Sequence, residues 1–558
     1  MDRPSETRRR GFFETGFDGL EAFRRRWLLM DSPGRWLFGR VSRLQVLILA
    51  VLTGYLLVFS FVGLTYQTWI TPIEGTNLHN TRGTWGCWAD RVGALAYALT
   101  PFSVLLAQRE SLLSLITGIP HQHFNFLHRW LGYIIFAQAF FHTLGWTLVE
   151  GYFYRPQPAT FAEWLSQMYA IFGVVAMFLL TLMLVLSTQT CIRWLGYEVF
   201  KISHWVLAVL YIAACWGHWD KLWCWMVASL ALICLDQLVR AFRTLYIHFG
   251  GQSTSDTGFT CPQAHVSLFG EPDDLVARLD FDYNHKAPWY AGQHFHLCFP
   301  TLSLWQSHPF TPASLPNLHT KCQHHSYLIR VRQGQTAQLA ASASSPGHAP
   351  CIPTLLTGPY GRALPSFSFQ NVLAIAGGTG VSFTLPIILE ALRQQGPSKA
   401  SALEFVWIVR RSRDLLWLGE ELAALKTKLK QNANFRIKIF VTREVDGLRV
   451  GLGEKGTPGS SSLSSSASSA AAGDDEMKRL EQLLCETPRF SVMWLGDRHP
   501  DSSEVLEEFY ERVGLSGGGK VEVLGSGPEG LSGDLRARVS RWKATRGEKV
   551  EFYWDSRA

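Results

Sequence analysis

The sequence has few cysteines, and their positions exclude two classes of small domain. Ten cysteines are scattered over 558 residues without a C-x-x-C pair. Zinc modules and disulfide-stapled folds both depend on characteristic cysteine spacings, so neither is expected. Charged residues make up only 17% of the chain, and no nucleic-acid-binding motif accompanies the formal charge of +7. Nucleic acid is therefore excluded as a partner.

Charged residues are rarest in six long segments of the first half. Each segment is apolar and long enough to cross a bilayer. The segments cover residues 44–66, 91–108, 126–148, 169–189, 202–219 and 222–240. Because the second half is polar, we expect a six-span transmembrane domain over residues 44–245, in contact with membrane lipid, followed by soluble domains.

No cleavable signal peptide is apparent, because about forty polar, arginine-rich residues precede the first apolar segment. This basic N-terminus, residues 1–43, contains arginine clusters at positions 8–10 and 24–26. Positive charge favours the cytosolic side, so we expect the N-terminus there. An even number of spans would return the C-terminus to the cytosol.

Two of the apolar segments carry histidine pairs with the same spacing. His128 and His142 are fourteen residues apart in HRWLGYIIFAQAFFH, and His204 and His218 are fourteen apart in HWVLAVLYIAACWGH. At about 100° per residue, fourteen residues fall about 40° short of four turns, so each pair shares one helix face and spans about 21 Å. The third and fifth spans run in the same direction, which predicts that His128 faces His204 and His142 faces His218.

A single histidine in a membrane helix is more often a structural hydrogen-bond partner than a ligand. Four histidines in a matched rectangle favour the other interpretation, because two imidazoles at one depth supply the two axial ligands of a six-coordinate haem. We therefore expect two stacked b-type haems that form an electron relay across the membrane, one held by His128 and His204, the other by His142 and His218.

The polar half is predicted to contain two soluble domains. Short alternating runs between glycine, proline and serine breaks predict a small antiparallel barrel over residues 258–366. NVLAIAGGTGVSFTLPIILEAL gives a buried strand, a glycine turn and an amphipathic helix, which predicts an α/β nucleotide-binding domain over residues 369–558. Residues 453–476 are serine-rich and too polar to pack, so a disordered loop is expected there.

The glycine turn is the predicted site for the phosphates of a dinucleotide. Backbone amides at a helix N-terminus bind phosphate, and a side chain would block the approach. The residues chosen are Gly377, Gly378, Thr379 and Gly380. The next strand, LEFVWIV, is followed by Arg410 and Arg411. Either guanidinium could pair with a 2′-phosphate and select NADPH over NADH, and a solvated strand end is the alternative.

These motifs together resemble the ferric reductase family, whose transmembrane domain fungal metalloreductases share with NADPH oxidases. Residues 91–119 and the word HRWLGY are similar to the family's second span, following loop and third span. Both histidine pairs are separated by fourteen residues, as in the reductase branch, whereas the oxidase branch commonly shortens the second pair by one. The resemblance implies a six-helix transmembrane bis-haem domain, then a ferredoxin-reductase-like FAD β-barrel and an α/β NADPH-binding domain.

The resemblance continues through PWYAGQHFHLCFP, HPFTPAS, IRVRQGQT and GPYG, in the family's order. It implies that the isoalloxazine and ribityl of FAD are bordered by His308, Pro309, Phe310, Thr311 and Ser314. It places near the FAD pyrophosphate Arg330, Arg332, Gly334 and Thr336. Guanidinium forks and bare amides suit phosphate oxygens, although a solvated strand face is the alternative for the two arginines.

Near the C-terminus, KVEVLGSGPEG resembles the family's last strand and the Cys-Gly-Pro turn beside the nicotinamide. The matching residues here are Ser526, Gly527 and Pro528. Serine in place of cysteine keeps the turn but puts in doubt any role of a thiol near the hydride path. Family members commonly end on an aromatic residue stacked over the flavin, whereas this chain ends FYWDSRA, with Trp554 four residues before the end.

The resemblance implies a metalloreductase that passes electrons from cytosolic NADPH through FAD and two haems to ferric or cupric chelates across the membrane. It would support metal uptake, with a metal permease as a candidate partner, at the plasma membrane or an internal membrane. One alternative is an NADPH oxidase that reduces dioxygen to superoxide, which the equal histidine spacings and the lack of a D-x-D-x-D-G calcium loop disfavour. The other is a non-catalytic scaffold or transporter, suggested by Ser526 and the unusual ending.

Overall fold

The structure, a computed structural model, divides the chain into two compact units, Trp27–Phe242 and a second unit that begins at Arg243. Most of the basic N-terminus lies outside the described residues. The described residues are 27–28, 32–39, 41–249, 258–285, 289–317, 319–344, 351–361, 363–364, 370–395, 401–445, 467–515, 519–546 and 550–555.

Six long helices occur where the sequence predicts membrane spans. They are α1 Arg43–Phe61, α2 Trp85–Ala107, α3 Asn125–Leu148, α4 Met168–Leu186, α5 Tyr197–His218 and α6 Trp223–His248. Within the described part of the chain, five of these helices, all but α2, are apolar and long enough to cross a membrane. α2 carries the remaining predicted span and packs against α3.

Shorter elements connect these helices. A hairpin of β1 Thr68–Pro72 and β2 His79–Gly83 follows α1. The short helical segments are Arg35–Phe38, Leu112–Thr117, His121–Phe124, Val149–Phe153, Ala159–Leu165, Gln189–Leu195 and Asp220–Leu222. α1 starts with a capping box in which the Ser42 hydroxyl accepts from the Gln45 amide and the Gln45 side chain accepts from the Ser42 amide.

The long helices of the first unit pack most closely in two pairs, α2 with α3 and α4 with α5. Small residues allow the close approach, as is common for membrane helices. A Cβ atom at Gly145 of α3 would lie 2.8 Å from the Cβ of Ala89 in α2. A Cβ atom at Gly217 of α5 would lie 2.8 Å from the Phe172 ring in α4. Each helix that carries a histidine pair is thereby fixed against one partner helix.

The second unit begins with two antiparallel sheets, which confirms the predicted barrel. The first has the order β7-β4-β3-β8 and the second the order β6-β5-β9. Leu279 of the first sheet and Phe295 and Leu356 of the second share one hydrophobic core. The elements are β3 Gln263–Phe269, β4 Val276–Asn284, β5 His294–Cys298, β6 His308–Phe310, β7 Cys322–Arg330, α7 Gln335–Ser344, β8 Cys351–Pro353 and β9 Leu355–Tyr360.

A parallel six-stranded sheet follows, with the order β13-β12-β11-β10-β14-β15, and confirms the predicted α/β class. Its strands are β10 Asn371–Gly377, β11 Leu403–Val409, β12 Phe435–Val441, β13 Phe490–Trp494, β14 Val521–Ser526 and β15 Val550–Asp555. Its helices are α8 Val381–Gln395, α9 Gly419–Gln431, α10 Ala467–Leu484, α11 Ser502–Leu515 and α12 Glu529–Arg546. The strand order reverses between β10 and β14, and open α/β sheets bind their ligands at such a point.

The predicted disordered loop, residues 453–476, lies only partly within the described residues. Residues 453–466 lie outside the described residues. From Ala467 onward the prediction is wrong, because α10 begins there. Three consecutive alanines, which have the highest helix propensity, precede the polar helical sequence and continue it towards the N-terminus. Serine content alone was a poor guide to this segment.

Two histidines lie together in the core of the barrel. His285 Nε2 and His325 Nε2 are 2.7 Å apart, and His325 Nδ1 lies 2.8 Å from the Tyr327 hydroxyl. Between the two Nε2 atoms one ring must donate and the other accept, so the accepting imidazole at least is neutral. Burial lowers the pKa of His285 to about 4 and lowers the pKa of His325 well below its usual value.

Acid should therefore destabilise the barrel. As the pH falls below about 6.5, the unfolded chain binds protons before the folded one, so stability is lost down to about pH 4. From His285 alone we expect a loss of about 2 kcal/mol at pH 5, which lowers the unfolding temperature of the barrel by about 8–16 °C. Flavin fluorescence released on heating would measure it. Replacing His285 and His325 together by phenylalanine should flatten this pH profile. The control His319→Gln, at an exposed position, should leave the profile unchanged. An unchanged profile in the double variant would show that the buried histidines do not cause the loss of stability in acid.

Candidate functional site

The four histidines predicted in the membrane helices meet at two levels. His128 of α3 faces His204 of α5 with ring centres 6.1 Å apart and planes at 77°. His142 faces His218 with ring centres 5.9 Å apart and planes at 78°. We call the first pair the first level and the second pair the second level. The structure thus brings together the pairs that the fourteen-residue spacing predicts.

At the second level, both imidazoles bind a backbone carbonyl through Nδ1. His142 Nδ1 lies 2.8 Å from the Ala89 carbonyl in α2, and His218 Nδ1 lies 2.7 Å from the Tyr169 carbonyl in α4. A carbonyl oxygen only accepts, so each proton is assigned to Nδ1 and each Nε2 keeps its lone pair. This is the arrangement that orients histidines as metal ligands.

The first level uses one serine of α2 and one serine that directly follows α4. His128 Nδ1 lies 2.9 Å from the Ser103 carbonyl and 3.1 Å from the Ser103 hydroxyl. His204 Nδ1 lies 3.1 Å from the Ser187 hydroxyl, just after α4. These contacts again occupy Nδ1 and leave Nε2 as the atom available for a ligand.

Two glycines make room for the second level. A Cβ atom at Gly93 would lie 2.6 Å from His142 Nδ1, and one at Gly173 would lie 2.7 Å from His218 Nδ1. Gly93 is four residues after Ala89, so it lies one turn along the same helix face. Neither glycine was predicted from the sequence as part of the site. The available signal was a glycine inside an apolar helix, which costs stability and often has a packing reason.

The distance within each level suits one iron atom between two imidazoles. Two imidazoles that bound one metal ion between them through bonds of about 2.0 Å would have ring centres about 6 Å apart. The observed distances are 6.1 Å and 5.9 Å. Across the described residues, no group of three or more His, Cys, Asp or Glu is placed to hold a metal ion. Two donors at each level fit the axial positions of a haem.

The predicted flavin residues form one strand and the turn after it. β6 lies at the edge of its sheet and pairs with β5, where Leu297 is opposite His308 and Phe295 is opposite Phe310. Ser314 Oγ accepts a hydrogen bond of 3.2 Å from the Ser326 amide, which anchors the turn. This segment therefore holds His308, Pro309, Phe310, Thr311 and Ser314 together, and their role towards FAD stays a prediction.

The residues predicted near the FAD pyrophosphate surround the start of α7. Gly334 has a φ of 78°, which favours glycine, and α7 begins at the next residue. The Arg332 amide donates to Thr336 Oγ1 at 2.8 Å and fixes this turn. Arg330 Nη2 instead lies 2.8 Å from Asp274 Oδ1, so a carboxylate holds that guanidinium. Binding of FAD phosphates by these residues stays a prediction.

The two predicted glycine turns meet at the strand-order reversal. A Cβ atom at Gly377, the end of β10, would lie 2.7 Å from Pro528 Cδ. A Cβ atom at Gly380 would collide with the carbonyl oxygen of Ser526, the end of β14. Only residues without a side chain allow this approach. The structure brings together Gly377, Gly378, Thr379 and Gly380 with Ser526, Gly527 and Pro528.

The unusual C-terminal residues belong to the nucleotide-binding sheet. Ser526 is buried, and its hydroxyl donates to the Asp555 carbonyl at 2.9 Å. Trp554 is the β15 partner of Gly525, and its ring stacks with Phe552 at 6.3 Å. The serine that replaces cysteine therefore links β14 to the end of β15 through a hydrogen bond. Trp554 lies within strand β15 and pairs with β14.

Arg410 and Arg411 follow β11 at the same edge of the sheet. Arg410 Nη1 lies 3.0 Å from each oxygen of Asp274. Arg411 Nη1 lies 2.7 Å from Glu271 Oε2. Two carboxylates of the barrel therefore hold both arginines, so neither is the solvated strand end that was the alternative.

Three family descriptions match successive parts of the chain. "Ferric reductase like transmembrane component" matches residues 92–215, "FAD-binding domain" matches residues 259–364, and "Ferric reductase NAD binding domain" matches residues 369–540. The chain belongs to the ferric reductase family. Three of the four membrane histidines lie within the first match, and His218 lies three residues beyond it.

Curated relatives of this chain include two proteins of Saccharomyces cerevisiae. Ferric/cupric reductase transmembrane component 2 is 29% identical over 365 residues, which cover 64% of this chain and 47% of the relative. Ferric reductase transmembrane component 3 is 30% identical over 370 residues, with the same two shares. The chain thus spans about half the length of these relatives.

A solved ferredoxin NADP⁺ reductase from Neisseria gonorrhoeae, with bound FAD and NADP, matches with a TM-score of 0.31 and 14% identity. The match covers 53% of this chain and 98% of that chain. The ferredoxin-reductase-like arrangement is assigned from the strand orders above and from the family matches, since a score this low adds nothing to them.

Proposed function

We propose that this protein is a transmembrane metalloreductase. It would take electrons from cytosolic NADPH and deliver them, through FAD and two b-type haems, to ferric or cupric chelates on the far side of the membrane. The observation that carries the proposal is the pair of histidine levels, each with two imidazole rings whose centres are 6.1 Å or 5.9 Å apart, a distance that suits one iron atom between them. The names of the yeast relatives support metal chelates as acceptors.

The residues of the chain would bind and orient these groups. When bound, FAD and haem supply the conversion of a two-electron donor into single-electron steps across the membrane. At Gly378 a Cβ atom would meet nothing within 4 Å, so the turn there leaves room for the phosphates of the nucleotide. The carbonyls of Ala89 and Tyr169 hold the second-level rings in a fixed tautomer. Fixed ligands keep each site ready for electron transfer without rearrangement.

The arginines before α1 and the even number of long helices support cytosolic positions for both termini. In that orientation the first level lies nearer the cytosol than the second. We propose the plasma membrane as the location, and a metal permease that takes up the reduced ion as a partner. The proposed domain limits are 1–43 for the basic N-terminus, 44–245 for the transmembrane domain, 258–366 for the FAD barrel and 369–558 for the NADPH domain.

The decisive test is anaerobic reduction of a ferric chelate by NADPH, with membranes that contain the full chain. The wild type should form ferrous iron without oxygen, and His142→Ala should lower the rate by at least about 100-fold. Haem that NADPH reduces without any iron reduction would point to dioxygen as the acceptor. Haem that NADPH cannot reduce would favour a non-catalytic scaffold.

A further inference from the structure

A tight acidic loop of the barrel reaches the nucleotide-binding edge of the sheet. The loop runs from Glu271 to Asp274, between β3 and β4, and the Asp274 amide donates to the Glu271 carbonyl at 2.9 Å. Gly270 just before it has a φ of 97°, and a Cβ atom there would lie 2.7 Å from the Asp274 carbonyl. The shape of the acidic loop is therefore set by a glycine that no other residue replaces without strain.

Both carboxylates of the acidic loop bind arginines at the end of β11, Asp274 to Arg410 and Glu271 to Arg411. Asp274 also binds Arg330 of the barrel, so one carboxylate links the two domains. About two fifths of each β11 arginine side chain is exposed, at 41% for Arg410 and 39% for Arg411. An anion from solution can therefore reach the same guanidinium groups.

The acidic loop stays charged at physiological pH. Partial burial raises the pKa of Asp274, but the nearby Arg410, Arg330 and Arg443 outweigh burial and leave this pKa below its usual value. Arg443 follows β12, is exposed, and its amide donates to the Arg410 carbonyl at 2.9 Å. A cluster of cations at two adjacent strand ends thus faces a carboxylate that does not lose its charge.

The position of these arginines matches that of a 2′-phosphate. β11 is the neighbour of β10, whose glycine turn is the predicted phosphate site, and in dinucleotide folds an arginine near the adenosine ribose accommodates the 2′-phosphate. Carboxylate and phosphate oxygens accept the same charge-assisted bonds from a guanidinium fork. The acidic loop and a 2′-phosphorylated nucleotide would compete for one set of donors.

We propose that the acidic loop sets the affinity for the 2′-phosphate of NADPH by competing for Arg410 and Arg411. The inference rests on the proposed use of NADPH. Asp274 and Glu271 are then specificity-determining residues that weaken the preference for NADPH over NADH. Binding of a 2′-phosphate would break an ion pair between the barrel and the nucleotide-binding domain.

The test compares two ligands that differ only in the 2′-phosphate, adenosine 2′,5′-bisphosphate and adenosine 5′-monophosphate. Their dissociation constants are measured by calorimetry on the full chain with bound FAD. Asp274→Asn keeps the side-chain shape and removes the charge, and it should tighten the bisphosphate by about threefold to fivefold. The monophosphate should bind as in the wild type. Glu271→Gln, which releases Arg411, should shift the bisphosphate in the same direction.

Glu421→Gln is the matched control. Glu421 binds Arg278 of the barrel at 2.7 Å and 3.0 Å, so it joins the same two domains at another place. Equal tightening in this variant would show general loosening of the domains and overturn the inference. In an Arg410→Gln background, Asp274→Asn should lose most of its effect.

The outcomes separate this inference from the proposed function. If the wild type prefers the bisphosphate but neither acidic-loop variant changes its affinity, the inference fails and NADPH remains the donor. If the wild type does not distinguish the two ligands, both the inference and NADPH as donor fail.

Discussion

Replacing His128 by alanine should stop NADPH from reducing haem at both levels, not only at the first. In the proposed orientation the first level receives electrons from the flavin, so the second level is reached only through it. We expect ferric chelate reduction to fall by at least about 100-fold, because loss of a ligand exceeds the effect of losing a supporting hydrogen bond. The measurement is the absorbance of reduced haem under anaerobic conditions, first with NADPH and then with dithionite.

Dithionite provides the internal control, because it reduces haem without the flavin. In His128→Ala, dithionite should reveal second-level haem that NADPH leaves oxidised. Ser103→Ala is the matched variant, since it removes the hydroxyl near His128 Nδ1 and keeps the carbonyl 2.9 Å from that atom. It should retain most activity. Full reduction of the remaining haem by NADPH in His128→Ala would contradict the order of the two levels.

Replacing Gly93 by alanine should weaken binding of the second-level haem although no ligand changes. The new Cβ atom would lie 2.6 Å from His142 Nδ1, so the imidazole must move and lose its bond to the Ala89 carbonyl. Loss of such a supporting bond typically lowers metal affinity by about 10–100-fold. Gly173→Ala should act in the same way on His218. The ratio of haem to protein after purification measures the effect.

Gly132→Ala is the control for the glycine variants. Gly132 lies in α3, the helix that carries both His128 and His142, and a Cβ atom there has no neighbour within 4 Å. Alanine also has the better helix propensity, so this variant should keep its haem. Normal haem content and iron reduction in Gly93→Ala would show that the His142 ring is not held as described.

The sequence predicts the histidine levels well because polar residues are rare in membrane spans and helix geometry fixes which of them share a face. It could not predict what holds the rings. The contacts of His142 and His218 depend on the close approach of neighbouring helices at Gly93 and Gly173. The spacing of residues along the chain does not determine which helices approach each other so closely. A glycine in an apolar span indicates that another group packs closely against the helix there, but the sequence does not identify that group.

The same limit applies to the nucleotide-binding domain. The turns at Gly377 and Ser526 could be paired from sequence, because parallel strands with reversed order bring their carboxyl ends together. The ion-pair partner of Arg410 could not be predicted from the sequence, because Asp274 is 136 residues away in another domain and has no motif around it. The helix that begins at Ala467 was not predicted, because the serine-rich composition of the segment favoured a loop and the helix propensity of its alanines was not considered.

The central claim, two histidine levels that each hold one haem, is tested most directly by counting haem in the double variant His142→Ala, His218→Ala. The wild type should contain two haems per chain. The double variant should contain one, which NADPH still reduces although iron reduction is lost. Two haems in the double variant, or the loss of both while the FAD content stays normal, would contradict the assignment of the two levels.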